Sequence, residues 1–400
     1  MELFNWLPPR LRVTLASARE SLKAVRRGLS GALRRVVEVP HTSEELAEPA
    51  REAAPSRPEG PLRAVFRDLR VVEVVRQTEQ AVTLWLDNSG PDPIRFNPGQ
   101  FLTLLPSIEG QKERRAYSLC SDPAEPDRVA VTVKRVAGGK VSRWINDNVR
   151  AGDVIRTLGP SGSFGFEVRP NARRRLVLVA AGVGITPLFS ILQAVTASEP
   201  ASRVALVYGN RRWEDVIFAD ELERLARERG RLTVRHVLTR PPGNWAGHRG
   251  RLVGRTLEAA LPLDRRAHYY VCGPEGMMQA VTGHLAAAGI PAGRVHIERF
   301  VPQGEGGATA GTGAIHTVRF SRSGAVLRVP DTRTLLDAGL SAGLALPSSC
   351  RMGGCGACRQ RVASGEVAME QPNCLTERER AQGLRLLCVG RPVGPVEIDA

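Results

Sequence analysis

Apolar positions fall into three rhythms along this chain. In the first, Leu11, Leu15, Ala18, Leu22, Val25, Leu29, Leu33 and Val36 recur at three- and four-residue intervals, with Arg10, Arg12, Arg19, Lys23, Arg26, Arg27, Arg34 and Arg35 between them. That spacing predicts one amphipathic basic helix within residues 1–60, leading into a Glu/Ala/Pro-rich tether. From 61 to 170, short runs of Val, Leu, Phe and Thr are cut by turn clusters such as Asn88-Ser89-Gly90-Pro91 and Asn97-Pro98-Gly99, which predicts an antiparallel β-barrel. From 171 to 302, apolar strands alternate with helical stretches. Strands are expected at 176–181, 204–208, 232–238 and 268–272, and helices from Pro187, over 218–229 and over 276–288. This is the rhythm of a doubly wound α/β sheet. Residues 303–313 read as a flexible linker, and 314–400 as a small domain of short strands and turns.

The chain has 400 residues, 42% apolar and 24% charged, with a formal charge of +15. This is globular usage with a bias toward an anionic partner. Aromatics at 5%, with no finger spacing or Lys-rich arm, argue against nucleic acid. Residues 1–37 carry eight basic and two acidic side chains. A helix of that kind packs on its own protein, docks on a partner or lies on an anionic membrane surface, and residues 1–40 are the segment concerned. The apolar stretch 176–192 contains Gly182, Gly184, Thr186 and Pro187, a poor membrane span. An odd set of seven cysteines and the lack of a leader-like start suggest a cytoplasmic protein, peripheral on the inner face of the membrane if the basic helix binds lipid.

Four of those cysteines carry the most specific signal. Cys350, Cys355 and Cys358 form a C-x4-C-x2-C run, and Cys388 follows after 29 intervening residues. This is plant-type spacing for a [2Fe-2S] cluster. Gly353, Gly354 and Gly356 let backbone amides approach the sulfurs. Structural zinc takes cysteines in two separated pairs, whereas here three crowd one loop. Cys374 lies outside the spacing and reads as a structural thiol.

Two further groups suggest what loads such a cluster. Arg115, Tyr117 and Ser118 offer a guanidinium, an aromatic plane and a hydroxyl within four residues, and Gly138-Gly139-Lys140-Val141-Ser142 opens a helical stretch where free amides favour a pyrophosphate. Gly182-Val183-Gly184-Ile185-Thr186-Pro187 lies between an apolar strand and a helix, the context of a dinucleotide loop. Tyr208-Gly209-Asn210-Arg211-Arg212 and Cys272-Gly273-Pro274 end later strands, where such sheets bind ligands.

In this order the motifs resemble the ferredoxin-NADP reductase superfamily, in the branch whose flavin reductase is fused to a plant-type ferredoxin domain. The resemblance covers about residues 62–400. It implies an antiparallel FAD barrel, a nicotinamide-nucleotide domain and an α+β, β-grasp ferredoxin domain, using FAD, NADPH or NADH, and a [2Fe-2S] cluster on Cys350, Cys355, Cys358 and Cys388. It further implies that Arg115 binds an FAD phosphate, Tyr117 packs on the flavin ring, Ser118 hydrogen-bonds near N5, Lys134 runs along the ribityl or phosphate side, and Gly139 and Ser142 cradle the pyrophosphate. Gly182, Gly184 and Thr186 would line the nicotinamide dinucleotide site, with Cys272 and Gly273 near its reacting ring and Glu298 and Phe300 near the flavin. Arg211 and Arg212 favour NADPH, as no carboxylate is evident at that strand end for a ribose diol. The expected activity is hydride transfer to FAD and single-electron delivery to a partner: a di-iron oxygenase, a hydroxylase or a membrane desaturase. The competing readings are a diaphorase or flavin reductase with a small-molecule acceptor, and a redox sensor.

Overall fold

The strand β1 (Phe66–Thr78) is thirteen residues long and pairs with two partners at once, β2 (Ala81–Asp87) along its second half and β8 (Val154–Ser161) along its first. The computed structural model describes residues 65–162, 164–300, 312–370, 373–375 and 377–400. The basic helix expected within residues 1–60 and most of the expected linker, residues 303–311, lie outside the described residues. Thr312 and Gly313, at the end of that linker, donate backbone N–H groups to the Asp331 carboxylate.

Between β2 and β8 come β3 (Phe101–Leu104), the small ribbon β4 (Ser107–Ile108) and β5 (Gln111–Lys112), β6 (Arg115–Ser118) and β7 (Arg128–Lys134). The six long strands order as β6-β3-β8-β1-β2-β7. Leu119, just past β6, bridges Val131 in β7 and closes the sheet into the expected antiparallel barrel. Its interior is the alternate residues of these strands, among them Val71, Leu84, Leu102 and Val131.

The next sheet is parallel throughout, in the order β12-β11-β10-β9-β13-β14. Its members are β9 (Arg175–Ala181), β10 (Arg203–Asn210), β11 (Leu232–Leu238), β12 (His248–Arg249), β13 (His268–Cys272) and β14 (Val295–Glu298). β9 is apolar on both faces because both are covered. Leu176, Leu178 and Ala180 face one layer, with Tyr270, Cys272 and the barrel's Phe164 and Phe166; Val177 and Val179 face the other, with Tyr269 and Val271. The strand order reverses between β9 and β13, where such sheets open a ligand crevice beyond the strand C-termini. A helix at Gly254–Ala260 and the strand β14 add to the elements the hydrophobic rhythm reveals.

The last sheet is mixed, in the order β16-β15-β21-β17-β19, with β15 (Ile315–Phe320), β16 (Ala325–Pro330), β17 (Arg359–Ser364), β19 (Leu384–Leu386) and β21 (Val396–Ile398). β15 and β21 are parallel and the other pairs antiparallel. The helix Leu335–Ser341 buries Leu335, Leu336 and Ala338 in the same cluster as Val318, Phe320 and Ile398. This is the expected β-grasp. A ribbon of β18 (Val367–Met369) and β20 (Gly390–Pro392) completes it.

Candidate functional site

The crevice at the switch point is built by two loops that touch. After β9 the chain makes one 3-10 turn, Gly182–Gly184, and enters the helix Ile185–Ser198. A Cβ on Gly184 would stand 2.3 Å from the Cys272 carbonyl oxygen, so glycine there lets the loop after β9 meet the end of β13. Gly182 has φ +53, and its carbonyl accepts a hydrogen bond from the Tyr208 hydroxyl at 2.9 Å. Thr186 is buried, with its hydroxyl donating to the Val183 carbonyl at 3.0 Å. Gly273 is packed so that a Cβ would meet the Met277 methyl. Lys134, ending β7 of the barrel, brings its ammonium to 3.8 Å from where a Cβ on Gly182 would stand.

At the end of β10, Arg211 and Arg212 are exposed. The expectation that no carboxylate sits here is corrected: the turn Trp213–Asp215 folds Asp215 back onto Arg212, 3.6 Å from Nε, and the Arg212 backbone N–H donates to the same carboxylate. The linear sequence hides this because Asp215 reaches the strand end only through that turn. Nearby, Asn210 is buried.

A cleft lies where the three domains meet, lined by Phe101, Arg115, Ala116 and Ser118 of the barrel, Glu298, Arg299 and Phe300 at and beyond the end of β14, and Cys350, Met352 and Gly354 of the last domain. Ser118 is buried at its wall, while Tyr117 packs on the barrel's apolar cluster. Glu298 pairs in register with Cys272, and burial pushes its carboxyl pKa up to about 8. The Cys272 thiol is raised as well, by burial first and the Glu298 charge second.

Arg115 and the Gly138–Ser142 turn, separate in sequence, converge on one carboxylate. Glu113 holds Arg115 at 3.4 Å and Lys140, the first residue of the helix Lys140–Asn148, at 3.0 Å. Two cations beside a helix start make an anion site that suits a diphosphate. Lys140 was legible in sequence as the residue after a Gly-Gly pair; its convergence with Arg115 was not. Within the turn, Gly139 has no room for a Cβ, which would meet the Ser142 hydroxyl at 2.7 Å, and that hydroxyl accepts from the Val136 N–H.

The four cysteines of the motif come together in the last domain. They fall into two neighbouring pairs, Cys350 with Cys355 and Cys358 with Cys388. Backbone N–H groups of Met352, Gly353 and Ala357 donate to the sulfurs of Cys350, Cys388 and Cys355 at 3.3–3.5 Å. Gly353 and Gly356 have φ near +70, and a Cβ on Gly353 would crowd Val389 and Asn373. A four-thiol donor set with amides aimed at its sulfurs fits a [2Fe-2S] cluster. Cys374 stands beside the loop, its N–H donating to the Gly353 carbonyl.

Comparison with known proteins agrees with this layout. Family models for an oxidoreductase FAD-binding domain, an oxidoreductase NAD-binding domain and a 2Fe-2S iron-sulfur cluster binding domain match residues 68–166, 178–283 and 318–393. The chain is 39% identical over 360 residues to the ferredoxin reductase component of 3-ketosteroid-9-alpha-monooxygenase from Mycolicibacterium smegmatis, covering 83% of this chain and 96% of that protein. It is 31% identical over 348 residues to the glycine betaine monooxygenase reductase subunit from Pseudomonas aeruginosa, covering 83% of this chain and 94% of that protein. Among solved structures it resembles phthalate dioxygenase reductase, described as a modular structure for electron transfer from pyridine nucleotides to [2Fe-2S], with TM-score 0.56 and 27% identity over 84% of this chain and 98% of that one. The protein is thus an oxidoreductase that uses FAD, NAD(P)H and a [2Fe-2S] cluster. The chain belongs to the ferredoxin-NADP reductase superfamily, in the branch that fuses a flavin reductase to a C-terminal [2Fe-2S] ferredoxin domain.

Proposed function

We propose that this reductase draws electrons from NADPH and hands them through the three-walled cleft to an oxygenase component. The cleft carries the reading: Ser118, Glu298 and Phe300 share one cavity with Cys350, so the hydride-accepting and single-electron groups would lie side by side. When bound, FAD would supply two-electron hydride acceptance and one-electron release, and a [2Fe-2S] cluster would supply one-electron carriage.

In this reading Arg115 and Lys140 bind the FAD diphosphate, trading the Glu113 carboxylate for it, while Gly139 and Ser142 shape the turn that presents backbone amides. Ser118 offers its hydroxyl near the ring's N5, Tyr117 supports the ring from the barrel side, and Phe300 covers it. Glu298, protonated at neutral pH, holds a proton in the cleft. Gly182, Gly184 and Thr186 form the nicotinamide nucleotide loop, with Lys134 bringing a cation to it and Cys272 and Gly273 backing the reacting ring. Arg211 meets the 2′-phosphate of NADPH, with Arg212 exchanging Asp215 for it. Cys350, Cys355, Cys358 and Cys388 are the cluster ligands.

The acceptor is an oxygenase component, since relatives of similar length serve two monooxygenases by name. The finer proposal is a di-iron oxygenase or hydroxylase, or a membrane desaturase, approached through the basic residues 1–40; no helix among the described residues is long and apolar enough to cross a membrane. Anaerobic titration with NADPH tests the core reading. Flavin absorbance should bleach together with that of an iron-sulfide chromophore, and a colourless protein, or zinc in place of iron and sulfide, would overturn it. Sedimentation with anionic vesicles, compared with a chain lacking residues 1–40, tests the membrane proposal.

A further inference from the structure

The loop that would take the nicotinamide nucleotide is tied to the flavin strand by a single helix. The helix Ile185–Ser198 starts directly after Gly184. One turn in, the buried Ser190 hydroxyl donates to the Ser121 carbonyl at 2.8 Å; a turn further, the Gln193 side-chain amide donates to the Cys120 carbonyl at 2.8 Å. Positions 186, 190 and 193 share a helix face, so the face that begins at the nucleotide loop ends on the barrel backbone. The gripped carbonyls lie two and three residues beyond Ser118. They are themselves held on β7, because the Cys120 N–H donates to the Ala130 carbonyl at 2.9 Å and the Ala130 N–H donates to the Ser121 hydroxyl at 3.1 Å. The barrel end of the yoke cannot shift without breaking a buried hydrogen bond.

We infer that Ser190 and Gln193 are positioning residues for hydride transfer, setting the distance between the nucleotide loop at Gly184 and the flavin-side hydroxyl of Ser118. The inference rests on the cofactor assignments proposed above. Its physical basis is that hydride transfer demands rings in near-contact, and a displacement of about 1 Å costs about a hundredfold in rate. A second tie across the same pair of domains provides a control. Gln77 accepts from the Phe218 N–H at 3.1 Å and donates to Glu221 at 3.4 Å, through residues outside the helix Ile185–Ser198.

The test compares the holoprotein with Ser190→Ala/Gln193→Met and with Gln77→Met, which removes the control bonds at similar volume. Flavin content is verified first. The double variant should lose about tenfold in kcat for hydride transfer with KM little changed, and should lose the long-wavelength charge-transfer absorbance of nicotinamide on flavin, while Gln77→Met keeps both. A double variant that retains kcat and the absorbance band, or a Gln77→Met protein equally impaired, would overturn the inference. Should the double variant emerge without flavin, Gln193→Met alone, at a half-buried site, is held to the same two criteria. A wild-type protein that shows no nucleotide-induced change in its flavin spectrum would instead contradict the cofactor assignment.

Discussion

The Ser161 hydroxyl, on the flavin barrel, and the Ser349 hydroxyl, one residue before the first motif cysteine, hydrogen-bond each other while both are buried. This joins residues 188 positions apart and presses the Cys350 loop against the flavin-side cleft. Across the same seam Arg114 lies near Arg351, which is 3.9 Å from Asp337; burial, then the Arg351 charge, lowers the Arg114 pKa. One buried bond beside a like-charge pair describes a contact that holds without being strong.

Removing one of the two hydroxyls should therefore loosen this contact selectively. Ser161→Ala leaves Ser349 buried without its partner, at a cost of about 1–3 kcal/mol. Electron passage from flavin to cluster should slow about tenfold, as about 1.4 kcal/mol of lost docking implies. Reduction of the flavin by NADPH should be unchanged. Stopped-flow spectra that follow flavin and cluster bands separately check this, and equal slowing of both would count against a docking role.

Glu298 gives a pH prediction. Burial raises its pKa to about 8, so the carboxyl is protonated at neutral pH and ionises as pH rises through that value. A group whose folded pKa is raised stabilises the fold most below its unfolded value, and that stability is lost as pH climbs toward the folded one. The rate of flavin reduction should accordingly be flat below about pH 7 and fall above about 8. Glu298→Gln, a permanent hydrogen-bond donor, should flatten the fall. An unaltered profile in this variant would assign the breakpoint to another group.

Gly184→Ala tests the contact between the two crevice loops. The new Cβ would stand 2.3 Å from the Cys272 carbonyl oxygen, a backbone atom that cannot move aside cheaply. The protein should keep its flavin and cluster spectra, since neither site includes this loop, yet lose about a hundredfold in kcat/KM for NADPH. Reduction by dithionite should remain normal.

Arg211→Ala should raise KM for NADPH about tenfold and leave KM for NADH unaffected, in keeping with the value of a guanidinium facing a phosphate. Asp215→Ala frees Arg212 from its carboxylate and should shift preference further toward NADPH. Paired KM measurements with both nucleotides decide the point; identical effects on the two would remove the 2′-phosphate from the argument.

Much of this architecture is legible in the residue pattern alone. β11 and β13 have the very bounds that the strand–helix alternation predicts, and Tyr269 to Cys272 of β13 are buried throughout because both faces of this parallel strand are covered. The helix Gly254–Ala260 was missed, since seven residues with one buried leucine give too little periodicity to see. The crowding of cysteines was legible because three of the four fall within nine residues. Convergence of Arg115 with Lys140 on Glu113, and of Asp215 on Arg212, was not, because each depends on how a turn folds back rather than on residue type.

The order of residues determined the three domains, their cofactor classes and the crowded cysteines, since these follow from patterns within short windows that local geometry must satisfy. What the tertiary structure decided is adjacency: that Cys350 borders the cavity of Ser118 and Glu298, and that Ser190 and Gln193 grip Ser121 and Cys120 from 69 and 73 residues away. Such contacts leave no periodic trace. A lone serine or glutamine reads the same whether it faces water or spans two domains, and only packing distinguishes them.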